Sequence, residues 1–244
     1  MSHKAVIAAF KKLKETTNPY LNSEEKAKLR EAVHYGAYAH EKQIRKSGEP
    51  YITHPITVAT VLAELRVDID TLIAGVLHDT IEDTEVTYQD ITTHFNEDVA
   101  KLVEAVTKLD KLKFRDLKEA QAETFVKMLF AMADDIRVII IKLSDRLHNM
   151  RTIAAMSASG QRRISRETLD VYAPIAERMG LKMIQHELED HAFKALHPNQ
   201  YKAIKDACTK IAGNRKRAVE KIRKNIEKAL LESAMHAEVT GRQK

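Results

Sequence analysis

Apolar residues recur every three or four positions along most of this chain, the spacing that gathers them on one face of an α-helix. Leu29 and Val33 mark such a face on a segment reaching His40, and Ser23, ahead of Glu24 and Glu25, reads as its cap. A loop is predicted at Arg45-Lys46-Ser47-Gly48-Glu49-Pro50. Pro55 then suits the first turn of a helix carrying Val58, Val61, Leu62 and Leu65. Asp70 reads as the cap of a helix through Leu72, Ile73, Val76 and Leu77 that ends near Asp83, and Thr87 and Asn96 as caps of two more. Val138-Ile139-Ile140-Ile141 is β-branched enough for a strand. Leu143, Leu147 and Met150 extend it at helical spacing, however, so Asp135 to Thr152 is predicted as a buried helix. Asn199 reads as the cap of a helix ending near Gly213, and a highly charged helix runs from Asn214 to about Met235.

Composition supports an all-α chain. Seven glycines and five prolines in 244 residues leave little for the turns of a β-rich fold. The hydrophobic share of 44% and charged share of 31% are those of an ordinary folded protein. Cys208 has no partner for an internal disulfide and is expected as a small buried residue on a helix. No apolar run approaches the roughly eighteen residues of a membrane span, and no small-residue cleavage site follows Ala5 to Phe10. The expectation is a cytoplasmic protein without a membrane partner. The net charge of +5 suits an anionic ligand without choosing among nucleotide, RNA and membrane surface. Character changes at Pro198. Residues 1–197 are expected as one compact unit and residues 198–244 as a helical connector.

Three groups of residues carry candidate chemistry. In His78-Asp79-x-x-Glu82-Asp83, helical spacing turns one imidazole and three carboxylates roughly the same way. Such a group repels itself unless water or a cation intervenes. In Asp145-x-x-x-Asn149-x-x-Thr152 a carboxylate sits where a helix leaves the core, and a buried carboxylate needs a partner or a metal. Arg146 and His148 are expected to lie off that face, His148 with a structural or surface role. His54 stands between the loop and the proline-started helix. Together His54, His78, Asp79 and Asp145 form H…HD…D, a nitrogen and oxygen set suited to manganese, iron, zinc or magnesium. Four such ligands leave positions open on a six-coordinate ion, a catalytic rather than a closed arrangement. His186 and His191 do not form a zinc-protease pair, because five residues turn them apart by about 140°. His34, His40, His94, His197 and His236 are expected to be structural or exposed, and no glycine pattern marks a phosphate loop.

The blocks Arg45 to Pro55, Leu77-His78-Asp79-Thr80-Ile81-Glu82-Asp83 and Lys142 to Thr152 resemble the hydrolase domain of the long RelA/SpoT alarmone enzymes, closest to the SpoT-like members. Thr107-Lys108-Leu109-Asp110-Lys111 and Tyr172 to Gly180 are similar to further blocks of that family, so the resemblance covers nearly the whole chain in order. It implies an HD-type helical phosphohydrolase fold followed by connector helices. It implies manganese-dependent removal of the 3′-diphosphate from (p)ppGpp, with the metal on His54, His78, Asp79 and Asp145. Glu82 and Asp83 match the catalytic acidic pair, which would orient and deprotonate water. Arg45 and Lys46 match substrate-contacting basic positions, and Ser47, Asn149 and Thr152 match positions near the nucleoside. The last residues look like the approach to a synthetase domain. The resemblance therefore implies the amino-terminal part of a longer protein, with synthetase and regulatory domains as partners in cis.

Three rival readings remain at this level. A regulatory module that binds alarmone without turnover would not need Glu82 and Asp83 intact. A nucleic-acid binder using Gly213-Asn214-Arg215-Lys216-Arg217 is disfavoured, because Glu220, Glu227 and Glu232 interrupt the basic helix and aromatics are few. A hydrolase of another phosphorylated nucleotide differs only in its product.

Overall fold

In the computed structural model, residues 2–110, 134–212 and 215–233, with 235, 237 and 239, are described. The chain divides into two compact units, Met1–Leu196 and His197–Lys244. Among the described residues the first unit is helical throughout, and an isolated bridge pairs Ile44 with Pro50. No helix of the described residues is long and apolar enough to cross a membrane.

The first unit is built around α3 (Thr53–Glu64), which packs against α1 (Ser2–Thr17), α4 (Ile69–Leu77) and α8 (Ile136–Arg151). Residues 53–63 of α3 are buried on nearly every side, which explains why its sequence is apolar all round rather than amphipathic. Around it lie α2 (Ser23–Ala39), the short α5 (Thr80–Asp83), α6 (Tyr88–His94) and α7 (Glu97–Asp110). Beyond α8 come α9 (Ala158–Glu167), a π-helical turn at Thr168–Tyr172, α10 (Ala173–Arg178) and α11 (Lys182–Leu196). The second unit contains α12 (Pro198–Ala212) and α13 (Arg215–Glu232).

The β-branched run is helical, as its extension by Leu143 and Leu147 requires. Asp135 caps α8 by accepting from the Arg137 amide at 2.9 Å, and Thr152 ends it. This helix serves two apolar clusters. Val138 and Ile141 join the core formed with α1 to α4 and α7, while Ile139, Leu143, Leu147 and Met150 join a second core with α10 and α11. The side left over carries Lys142, Asp145 and Asn149.

Several expected caps shift by a residue or two. Asn22 caps α2 through a reciprocal pair with Glu25 (3.0 and 2.8 Å), because its side-chain oxygen reaches the third amide, and Ser23 is the first helical residue instead. Asp68, not Asp70, caps α4, accepting from the Thr71 amide at 3.0 Å and the Thr71 hydroxyl at 2.6 Å. Thr87 and Asn96 do cap α6 and α7. The helix expected to reach Asp83 breaks into α4 and α5, with His78 and Asp79 in the turn between them. Pro198 rather than Asn199 opens α12, at the first helical position where its missing N–H is tolerated. Cys208 is exposed, contrary to expectation, because its face of α12 lies open among exposed neighbours. Lys111, Gly213, Asn214, His236 and residues 241–244 lie outside the described residues, as do the side chains of Arg215, Lys216 and Arg217.

Gly75 lets α3 and α4 approach closely. A Cβ there would overlap a terminal methyl of Leu62, which is fully buried and must shift within a packed core to make space. Gly75→Ala should lower stability by about 1–3 kcal/mol. Urea unfolding measures this, and an unchanged midpoint would show that α3 and α4 can separate freely.

Candidate metal centre

Three elements bring the chemistry together: the first turn of α3, the turn after α4, and the polar side of α8. His54 and His78 are almost fully buried, and Asp145 is 5% exposed. Ligand atoms of His54, His78 and Asp145 all lie within 4.8 Å of one another. His54 Nε2 is 3.2 Å from Asp145 Oδ1 and 3.6 Å from Asp79 Oδ2. His78 Nε2 is 3.1 Å from Asp79 Oδ1 and 3.9 Å from Asp145 Oδ1. His54, His78 and Asp145 therefore face one point, and Asp79 stands beside it, against both imidazoles.

Each member is held from behind. His78 Nδ1 lies 2.9 Å from the Gly75 carbonyl, an acceptor, so Nδ1 carries the proton of the neutral ring and Nε2 is left a lone pair. That Nε2 is buried and makes no hydrogen bond, since its approach to Asp79 is close but poorly aligned. Asp145 accepts from Lys142 Nζ at 2.9 Å and from Asn149 Nδ2 at 2.7 Å. Asp79 Oδ2 accepts from the Tyr51 hydroxyl at 2.6 Å, and the same hydroxyl reaches Asp83 Oδ2 at 3.2 Å. Carboxylates with orienting donors, imidazoles with fixed back nitrogens and an orphaned buried Nε2 fit a divalent cation.

Electrostatics agree. Burial disfavours charge on Asp145, but Lys142 and the two imidazoles outweigh it and hold the carboxyl well below its ordinary range. Asp79 is likewise pulled down, by His78 and His54 against its burial. Burial lowers His54. For His78, burial opposes charge, yet the neighbouring Asp79 wins and raises it to about 9.

The remaining residues are placed unequally. Glu82 and Asp83 are exposed at the rim on α5. Arg45 reaches inward, its guanidinium 3.0 Å from His148 Nδ1 and 3.2 Å from Asn149 Oδ1. Lys46 and Ser47 are exposed in the turn that Gly48 closes onto the Arg45 carbonyl. Thr152 caps the end of α8, its hydroxyl bonded to the His148 carbonyl at 3.1 Å. Arg146 points away, as expected, to Glu167 and over the Tyr172 ring at 3.9 Å. His148 corrects the sequence reading. Three residues on a helix amount to about 300°, only some 60° off the Asp145 face, and its Nδ1 stands 2.6 Å from His54 Nδ1. Burial, with the charges of His54 and Arg45, lowers His148 to about 3, so the ring is neutral. Tyr51 and Lys142 are further members that sequence spacing did not single out. The helical spacing of Lys142 to Asp145 was a usable signal; for Tyr51 there was none.

Fold and site together define an all-helical domain organised on a buried histidine–aspartate cluster. Residues 32–182 match the HD domain family, and the chain belongs to it. It is 52% identical over 235 residues to the bifunctional (p)ppGpp synthase/hydrolase SpoT of Escherichia coli strain K12, covering 96% of this chain and 34% of that protein. It is 51% identical to the guanosine-3′,5′-bis(diphosphate) 3′-pyrophosphohydrolase of Vibrio cholerae, covering 96% and 33%. A solved structure of a metazoan ortholog of SpoT that hydrolyses ppGpp superposes with a TM-score of 0.51 at 27% identity, covering 72% of this chain and 96% of that one. The chain spans about a third of the length of the curated relatives it matches.

The His78 shift sets a pH dependence. Its folded value, about 9, lies above the ordinary 6.5, so the proton stabilises the metal-free protein fully below about 6.5 and loses that effect as pH rises towards 9. A cation must displace that proton, so divalent-metal affinity should increase through the same window. Calorimetric titration at several pH values measures it. Affinity that stays flat across the window would show that His78 does not trade a proton for metal.

Proposed function

We propose that this chain hydrolyses the 3′-diphosphate of (p)ppGpp, releasing GDP or GTP and pyrophosphate, with manganese as its cofactor. The observation that carries the reading is the convergence of His54, His78 and Asp145 ligand atoms within 4.8 Å, with a buried His78 Nε2 left without a hydrogen bond. The names of relatives half identical over nearly the whole chain support the substrate and the bond cut. His54, His78, Asp79 and Asp145 would hold the ion. When bound, it neutralises phosphate charge and brings the pKa of water towards neutrality.

This chain's own groups would do the rest. Asp83 is the base that takes a proton from the attacking water, and one of its oxygens lies 3.2 Å from the Tyr51 hydroxyl, whose shorter bond goes to Asp79. Glu82, one residue before it at the exposed rim, orients the same water. The water oxygen bonds to the phosphorus attached to O3′, the P–O3′ bond breaks, and the leaving oxygen takes a proton from solvent, to which Asp83 gives up the one it removed. Arg45 and Lys46 bring positive charge to the diphosphate, while Ser47, Asn149 and Thr152 contact the nucleoside side. Asn149 has a second task here, since it already joins Arg45 to Asp145. We read residues 198–244 as a connector towards synthetase and regulatory domains in cis, a reading supported by relatives about three times as long.

Incubation with ppGpp should yield GDP and pyrophosphate, stop in excess chelator and recover best with manganese. Asp145→Asn should lose bound metal as well as activity, because a charged ligand becomes a neutral amide. Asp83→Asn should keep its metal and lose about 10²–10⁴ in turnover, because only proton removal fails. Elemental analysis beside kinetics separates the two. Full turnover in chelator would end the metal reading, and a metal-loaded chain without hydrolysis would leave a binding module instead.

A further inference from the structure

We propose that His148 is a positioning residue of the metal centre, whose Nδ1 lone pair holds His54 in its ligand tautomer. This rests on the metal reading above.

Two imidazole nitrogens 2.6 Å apart must share one proton, one ring donating and the other accepting. Distance alone does not say which. Arg45 does. A guanidinium can only donate, and its Nη1 lies 3.0 Å from the same His148 Nδ1. That nitrogen therefore carries no proton; its single lone pair is shared, facing His54 at 2.6 Å with Arg45 alongside at 3.0 Å, its ring proton sits on Nε2, and the proton between the rings belongs to His54 Nδ1. His54 Nε2 then keeps its lone pair, turned towards Asp145 and Asp79.

The bias matters because the site also favours the opposite arrangement. Asp145 Oδ1 at 3.2 Å and Asp79 Oδ2 at 3.6 Å would each welcome a proton on His54 Nε2, and in that tautomer the ring cannot bind a cation. His148 offers the competing acceptor on the far side. The two rings meet nitrogen to nitrogen, centroids 4.8 Å apart and 28° between planes, so the His148 lone pair lies close to the line of the His54 N–H. His78 obtains the same service from the Gly75 carbonyl. For His54 the acceptor is a side chain instead, and a substitution can remove it. Asn149 helps hold the arrangement by accepting from the same guanidinium at 3.2 Å.

The test compares manganese affinity of the wild-type chain, His148→Phe and His148→Gln by competition with a fluorescent chelator, after each is shown to be folded. His148→Phe keeps a ring but no acceptor and should bind about 10–100-fold more weakly. Glutamine keeps an acceptor oxygen and should stay within several-fold of wild type. Equal binding by the phenylalanine variant overturns the proposal, as does an equal loss in both, which would assign the effect to packing. Nitrogen-15 NMR of the zinc-loaded wild type gives an independent reading should the phenylalanine variant not fold. His148 should carry its proton on Nε2, and a proton on Nδ1 would overturn the proposal. Failure of the wild type to bind any divalent cation would instead remove the proposed function.

Discussion

Burying two imidazoles and two carboxylates around a single point is the constraint on which this molecule turns. Each carboxylate loses its hydration and needs positive charge near it. Lys142 meets part of that need for Asp145 at 2.9 Å, and Tyr51 supplies a hydrogen bond but no charge to Asp79. What remains falls on the histidines. His78 is almost fully buried, yet the neighbouring Asp79 raises its pKa to about 9. Such a buried set of nitrogen and oxygen donors could hold a divalent cation.

The helices can be understood as the means of holding that cluster rigid. α3 is buried on nearly all sides, so His54 in its first turn has a fixed origin. Gly75 brings α4 against α3 and also offers its carbonyl to His78, so one residue sets both a helix separation and a tautomer. α8 divides its faces among two apolar cores and the site, which places Lys142, Asp145 and Asn149 without freedom to drift. By contrast Glu82 and Asp83 stand on a single short turn at the rim, where water and a substrate can reach them.

Much of this was legible because helical geometry is local. The extent of α8 follows from Asp135, Thr152 and the apolar spacing between them, and the gathering of His54, His78, Asp79 and Asp145 follows from the H…HD…D pattern together with the family resemblance. Caps near α2 and α4 were misplaced by one or two residues, since Ser23 and Asp70 are as suitable in type as Asn22 and Asp68. What sequence could not supply was contact between distant segments. His148 meets His54 across 94 residues and Arg45 across 103, and Tyr51 meets Asp79 across 28. None of these separations leaves a periodic trace, so the orienting groups behind the ligands became visible only in three dimensions.

The proposed divalent ion would sit between His54, His78 and Asp145, with Asp79 beside it. Anomalous diffraction at the manganese edge, from crystals grown with the metal, locates it directly. A single strong peak is expected between His54 Nε2, His78 Nε2 and Asp145 Oδ1, with Asp79 beside it. No peak at that point, or manganese bound only on the outer surface, would contradict the account.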